Sequence, residues 1–123
     1  MDATYLFRVT FRLEPDAERV RVDPDRFETT MAIPAPPPGE PGWLLFRDRL
    51  WRGRIGDEPS MCAFASERLG VTVTAMEFAE LRTDEAYLDA LTTAVADDPT
   101  AFNAADVDEA LHKYLGSSIH VRE

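Results

Sequence analysis

Glutamine is absent from this chain, and lysine, cysteine and asparagine occur once each, as Lys113, Cys62 and Asn103. A single cysteine excludes an intramolecular disulfide. No apolar run approaches the roughly eighteen residues of a membrane-spanning helix. The opening MDATYLFRVTFRL has no cationic start, and Arg8 and Arg12 interrupt its apolar residues. It therefore does not read as a signal peptide. There is no glycine-rich phosphate loop, no metalloprotease helix and no paired CxxC, so no cofactor and no metal is implied. These absences predict a cytoplasmic protein away from the membrane. The chain is long enough to bury a core without disulfides or metals. Residues 1–123 are expected to form a single domain.

What is present is acid. The chain carries 23 Asp and Glu against 13 Lys and Arg, a formal net charge of −10. Twelve of the thirteen bases are arginine. Residues 1–56 hold nine acids and nine arginines, whereas residues 57–123 hold fourteen acids and four bases. The net charge therefore sits entirely in the second part, and a cationic patch must draw mainly on the first. Self-repulsion of this kind is tolerable where molar salt shortens the Debye length to about 3 Å.

The periodicity gives an α+β order. Residues 4–13 alternate, with Tyr5, Phe7, Val9, Phe11 and Leu13 on one side and Arg8 and Arg12 on the other, as in a half-buried strand. Glu14, Pro15 and Asp16 end it. A short extended piece covers 19–22, a turn falls at Pro24 and Asp25, and a second strand covers 27–33. Five prolines between 34 and 42 exclude both helix and central strand there, which leaves a semi-rigid loop. Helices are expected from Asp57 or Ser60 to Leu69, with Met61, Cys62, Ala65 and Leu69 inward, from Thr83 to Ala96, and from Asn103 to Leu115. Strands are expected over 71–81, with a bulge near Thr74 and Ala75, and over 117–122, with Ile119 and Val121 inward. The expected fold is α+β: an antiparallel-rich sheet of about four strands, helices mainly on one face, a ferredoxin-like variant. In it the last strand pairs with the first. That would gather Arg8, Thr10, Arg12, Ser118, His120 and Arg122 on the sheet side away from the core.

Residues 43–54 hold both tryptophans and four arginines: Arg47, Arg49, Arg52 and Arg54. Two readings stand. A helix over 43–52 would turn Trp43, Phe46, Leu50 and Trp51 inward and the cations outward. A hairpin would turn at Asp48 and Arg49, a pair lacking the glycine that tight turns favour, so the helix is preferred. The tripeptide Leu50, Trp51, Arg52, with the stretches FETTM (27–31), WLLFRDRLWRG (43–53), ELRTDEAYLDAL (80–91) and HKYLGSSI (112–119), resembles the LWR-salt proteins of haloarchaea, a family named for that motif. The resemblance implies a haloarchaeal cytoplasmic protein and carries over no catalytic residue.

No catalytic residue is assigned. Cys62 is expected on an apolar helix face, where a thiol is inert. Ser117 and Ser118 near His120 lack an orienting acid. Glu109 and His112, three apart, lack a second pair for a metal. What remains is surface: Trp51, Arg52, Arg47, Arg49 and Arg54 on one segment, and Arg8, Arg12, His120 and Arg122 on the sheet, which a second subunit in a homodimer would otherwise cover. A non-enzymatic interaction protein with an acidic protein partner fits best. Nucleic acid ranks lower, because net −10 is adverse and phosphate contacts weaken with salt. The alternative is a small enzyme with a pocket between residues 43–54 and the sheet.

Overall fold

The computed structural model describes residues 1–12 and 26–122. The expected strand end at Leu13, the turns at Glu14 and Pro24 and the piece over 19–22 lie outside them. The described residues form β1 (Ala3–Arg12), β2 (Arg26–Pro34), α1 (Leu45–Arg49), β3 (Leu50–Trp51), β4 (Arg54–Ile55), α2 (Glu58–Leu69), β5 (Thr72–Asp84), α3 (Glu85–Asp97), a 3-10 turn (Pro99–Phe102), α4 (Val107–Leu115) and β6 (Ile119–Arg122). The class is α+β. A four-stranded sheet runs in the order β2-β1-β5-β6, and β3 and β4 form a separate hairpin.

β1 sits inside the sheet because its alternation offers a complete apolar side. Tyr5, Phe7 and Val9 are buried, with Phe7 fully so, while Arg8 and Arg12 are exposed. A slip of one residue would invert that pattern. β1 pairs antiparallel with β2 and with β5. Between β1 and β5 the register shifts twice: Thr10 faces Ala75 but Phe11 faces Val73, and Leu6 faces Glu80 but Phe7 faces Phe78. The first shift is the expected bulge near Thr74. The second, at Ala79, lets β5 run on to Asp84 with Leu81 and Thr83 buried.

The last strand corrects the expected topology. β6 pairs parallel with β5, over Leu81 to Ile119 and Asp84 to Arg122, and not with β1. The reason lies in β5: once it outruns the length expected for it, its far end faces the strand that leaves α4. The start of β1 meanwhile is already bonded to β5 and β2, so β6 cannot pair with it and joins the edge of β5 instead. As the outermost strand it has one neighbour, and Val121, expected inward, is 43% exposed.

Helix starts follow local capping. Asp57 accepts from the Ser60 N–H at 3.3 Å, and Gly70 closes α2 with φ 74°. Met61 and Ala65 are buried as expected, Cys62 is half-buried, and Leu69, expected inward, is exposed at the last position of the helix. Asp84, not Thr83, caps α3 by accepting from Tyr87 N–H at 2.8 Å. Asp106, not Asn103, caps α4 by accepting from Glu109 N–H at 2.8 Å. Asn103 instead ends the 3-10 turn with φ 47°, a left-handed conformation that asparagine tolerates. The buried side chains of sheet and helices form one apolar cluster.

Candidate functional site

The 43–54 segment is neither a helix throughout nor a hairpin turning at Asp48. It is a one-turn helix, α1, running directly into the β3–β4 hairpin, whose turn is Arg52 and Gly53. Both turn residues have positive φ, 52° and 77°, as a type I′ turn requires. Glycine suits such a turn; the arginine beside it hid the signal. α1 ends where Leu50 becomes extended, with φ −119° and ψ 150°. The switch changes the side-chain period from helical to alternating. Phe46 and Leu50 therefore stay buried, and Trp51, expected inward, is 48% exposed.

A chain of rings positions that tryptophan. Phe46 stacks on Phe102 at 5.8 Å, and Trp43 meets Phe102 edge-on at 6.1 Å. Tyr114 packs edge-on against Phe46 at 6.1 Å and against Trp51 at 6.0 Å. The Tyr114 hydroxyl donates to the Phe102 carbonyl at 3.3 Å. Trp51 is thus the outer end of an aromatic stack whose inner members are core. Lys113 Nζ lies 5.4 Å from its ring centroid and Arg52 Cζ 5.8 Å, both within cation–π range.

The hairpin turn also completes α4. The last four carbonyls of a helix lack intrahelical partners. Here His112 O accepts from Gly116 N–H at 2.9 Å, Lys113 O from Arg52 N–H at 2.7 Å, Tyr114 O from Gly53 N–H at 3.0 Å, and Leu115 O from Ser118 N–H at 3.3 Å. Two of the four caps come from a different part of the chain. The backbones approach closely enough that a Cβ on Gly53 would stand 3.2 Å from Leu115 O, and one on Gly116 3.2 Å from Arg52 O.

Between the turn and the end of α4 lies an open cleft of about 690 Å³. Trp51, Arg52, Arg54, His112, Lys113 and Ser118 line it. Glu109 is its single acid. Arg52 and Arg54 are exposed, and neither is in an ion pair among the described residues. Lys113 Nζ donates to the carbonyls of Phe102 and Asn103 at 3.4 and 3.2 Å. A net-acidic chain therefore places three cations and two serines, Ser117 and Ser118, in a cleft that an exposed indole also lines. The cleft lies between the hairpin turn and the end of α4, and through Ser117 and Ser118 it reaches the start of β6.

The other arginines of the segment point elsewhere. Arg47 is half-buried, with Nε 3.0 Å from Asp48 Oδ1. Arg49 is exposed and lines a separate groove of about 550 Å³ beside Trp43 and Asp48. The expected gathering of Arg8, Arg12, His120 and Arg122 also breaks up, because β5 separates β1 from β6. Arg8 Nε pairs with Glu77 at 2.6 Å. Glu80 lies 2.8 Å from Arg82 and 3.8 Å from His120. Arg122 borders a pocket of about 360 Å³ with Asp2, Arg82 and Asp84. β5 thus places carboxylates between the two sets of cations, and the sheet side carries mixed charge.

Chemical activation is not visible around the candidate nucleophiles. Burial, and then Glu58, push the Cys62 thiol upward, away from the thiolate. No hydrogen bond among the described residues joins Ser117 or Ser118 to His112, Glu109 or His120 through their side chains. Burial pushes Tyr87, whose hydroxyl donates to Pro36 O at 2.8 Å, up to about 12. Burial likewise raises Tyr5. They are structural phenols.

No helix among the described residues is long and apolar enough to cross a membrane. The family model described as LWR-salt protein matches residues 1–123, so the chain belongs to that family. No curated protein and no solved structure matches the chain.

Proposed function

Starting from membership of the LWR-salt family, we propose that this chain is a non-enzymatic interaction protein of the haloarchaeal cytoplasm, and that its Trp51–Arg52 tip and adjoining cleft hold an acidic stretch of a partner protein. One observation carries the reading: Arg52, Arg54 and Lys113 converge on one cleft, beside an exposed indole, in a chain of net charge −10. Cations left without acid partners in so acidic a protein are groups held ready for an outside anion. Molar salt removes most long-range attraction. Affinity must then come from short charge-assisted hydrogen bonds of guanidinium to carboxylate and from apolar contact with Trp51. Arginine suits this better than lysine, because its planar fork pairs bidentately and is more weakly hydrated.

A photo-crosslinking residue at position 49, outside the cleft wall but on the same segment, would trap the partner at native salt. The trapped protein would then be purified and titrated. The double variant Arg52→Ala/Arg54→Ala should bind it at least about tenfold more weakly, with an unchanged melting temperature. Equal affinity would remove the cleft from the interface.

A further inference from the structure

Building on the cleft as the site for an acidic segment, we infer that the segment is held in extended form, as a strand added to the open edge of β6. β6 is the last strand of the sheet. One side is bonded to β5 from Ile119 to Arg122, and no strand among the described residues occupies the other. An edge strand presents unpaired N–H and C=O groups that accept an extended peptide. The edge is continuous with the cleft, since Ser117 and Ser118 line the cleft and lead directly into Ile119.

Charge selects the occupant. β6 itself has no acid and reads Ile119, His120, Val121, Arg122, with Glu80 of the neighbouring β5 3.8 Å from His120. His120 and Arg122 share one face and Ile119 and Val121 the other, because side chains alternate along a strand. Val121 is already exposed. An incoming strand matches this edge when acids and apolar residues alternate, with the acids beside His120 and Arg122 and the apolar residues beside Val121. Continuing past Ser118, its acids meet Arg52, Arg54 and Lys113. Four residues of pairing are short on their own, and the cleft cations extend the contact. A nucleic acid fits less well. Phosphate contacts weaken steeply with salt, and the net charge of −10 opposes a polyanion.

The test uses the full chain, isotope-labelled, in molar KCl. The probes are a capped heptapeptide alternating glutamate and valine, its lysine–valine counterpart, the same acidic peptide N-methylated on alternate amides, and a short thymidine oligonucleotide. The acidic peptide should slow amide exchange within residues 119–122 by at least about tenfold and shift the Trp51 indole N–H signal. N-methylation should weaken binding at least about tenfold, because it removes the strand's donors while keeping its charge. A shifted Trp51 with unprotected 119–122 amides and no effect of methylation would overturn strand addition and leave the cleft reading standing. If neither acidic peptide bound, or if the lysine peptide bound as tightly, both would fall. If the oligonucleotide displaced the peptide and quenched Trp51 without protecting β6, the cleft would be a nucleic-acid site and the inference would be lost.

Discussion

The backbone N–H of Arg52 donates to the carbonyl oxygen of Lys113 at 2.7 Å. That bond ties the tip of one hairpin to the C-terminal end of a helix 61 residues on. The same helix end supplies Lys113 to the cleft and Tyr114 to the ring stack. The placement of Trp51 and Arg52 is therefore inseparable from how α4 ends. Leu50 is the buried anchor, Trp51 caps the aromatic stack, and Arg52 turns the chain and caps the helix.

Gly116 follows from this directly. Its φ of 63° and ψ of −141° lie close to a region that glycine nearly alone adopts. A Cβ there would also press on Arg52 O at 3.2 Å. Gly116→Ala should cost about 1–3 kcal/mol, read by denaturant unfolding in molar KCl. An unchanged midpoint would mean that the turn and the helix end can separate at no cost.

Leu50 and Trp51 should behave differently despite their adjacency. Leu50 is 3% exposed and Trp51 48%. Leu50→Ala should lose about 2–5 kcal/mol. Trp51→Ala forfeits a half-exposed ring and an edge-on pair with Tyr114, and such pairs contribute about 0.5–1.5 kcal/mol beyond area. Melts of the two variants would rank them. A Trp51→Ala loss as large as that of Leu50→Ala would mean that the ring is buried in solution.

The contrast between those neighbours also explains what was legible. The alternation of Tyr5, Phe7 and Val9 fixed the register of β1, and the shift from Val73 to Met76 located a bulge, because burial imposes period two directly on sequence. The stripe of Ala110, Leu111, Tyr114 and Leu115 located α4 for the same reason. The 43–54 segment carries a helical signal because Phe46 and Leu50 are four apart, although the structure changes between them. A type I′ turn at Arg52 gave no signal, since arginine at positive φ is uncommon. The second bulge, at Ala79, leaves the same mark as the first, since buried Phe78 and Leu81 are three apart, but nothing in that spacing says which strand the far end of β5 will pair with. The cleft was half legible: Trp51, Arg52 and Arg54 stood out, whereas Lys113, the only lysine, joined them through tertiary packing alone.

Salt should act through charge imbalance. Residues 57–123 carry fourteen acids against four bases, and the described ion pairs engage few of them. Thermal midpoints should rise markedly between dilute buffer and molar KCl, as the Debye length falls from about 30 Å at 0.01 M to about 3 Å at 1 M. A flat midpoint would show that the acids lie too far apart to repel.

Acid should weaken the start of α3. The Asp84 carboxylate accepts from the N–H groups of Tyr87 and Asp2, each at 2.8 Å, and lies 3.3 Å from the terminal ammonium. These hold its pKa below the ordinary aspartate range. A lowered folded value means that the stabilisation is complete above the unfolded value of about 3.9. It is lost as pH falls through the lower folded value. Asp84→Asn keeps a capping oxygen but not the charge. Its melting deficit against the natural chain should be present at about pH 6 and shrink below about pH 3.9. A deficit constant with pH would assign the effect to geometry alone.

Arg52 gives the sharpest separation of fold from recognition. It sits at φ 52° in the first position of a type I′ turn followed by Gly53, where the favoured pair is Asn-Gly. Its contribution to the fold runs through its backbone: the N–H caps Lys113 O, and that bond is independent of the side chain. The guanidinium is exposed, and its one described contact is with Trp51. Arg52→Asn should therefore keep the cap, relieve the turn and raise stability by up to about 1 kcal/mol, since asparagine accepts positive φ more readily. The same variant should bind the acidic peptide or partner several-fold more weakly, because a bidentate cation is gone. A chain that melts higher and binds less would show that arginine stands at this turn for what it touches outside the molecule. A chain that melts lower would show that the guanidinium steadies the hairpin by lying on Trp51, and the place of arginine in the tripeptide would then be structural.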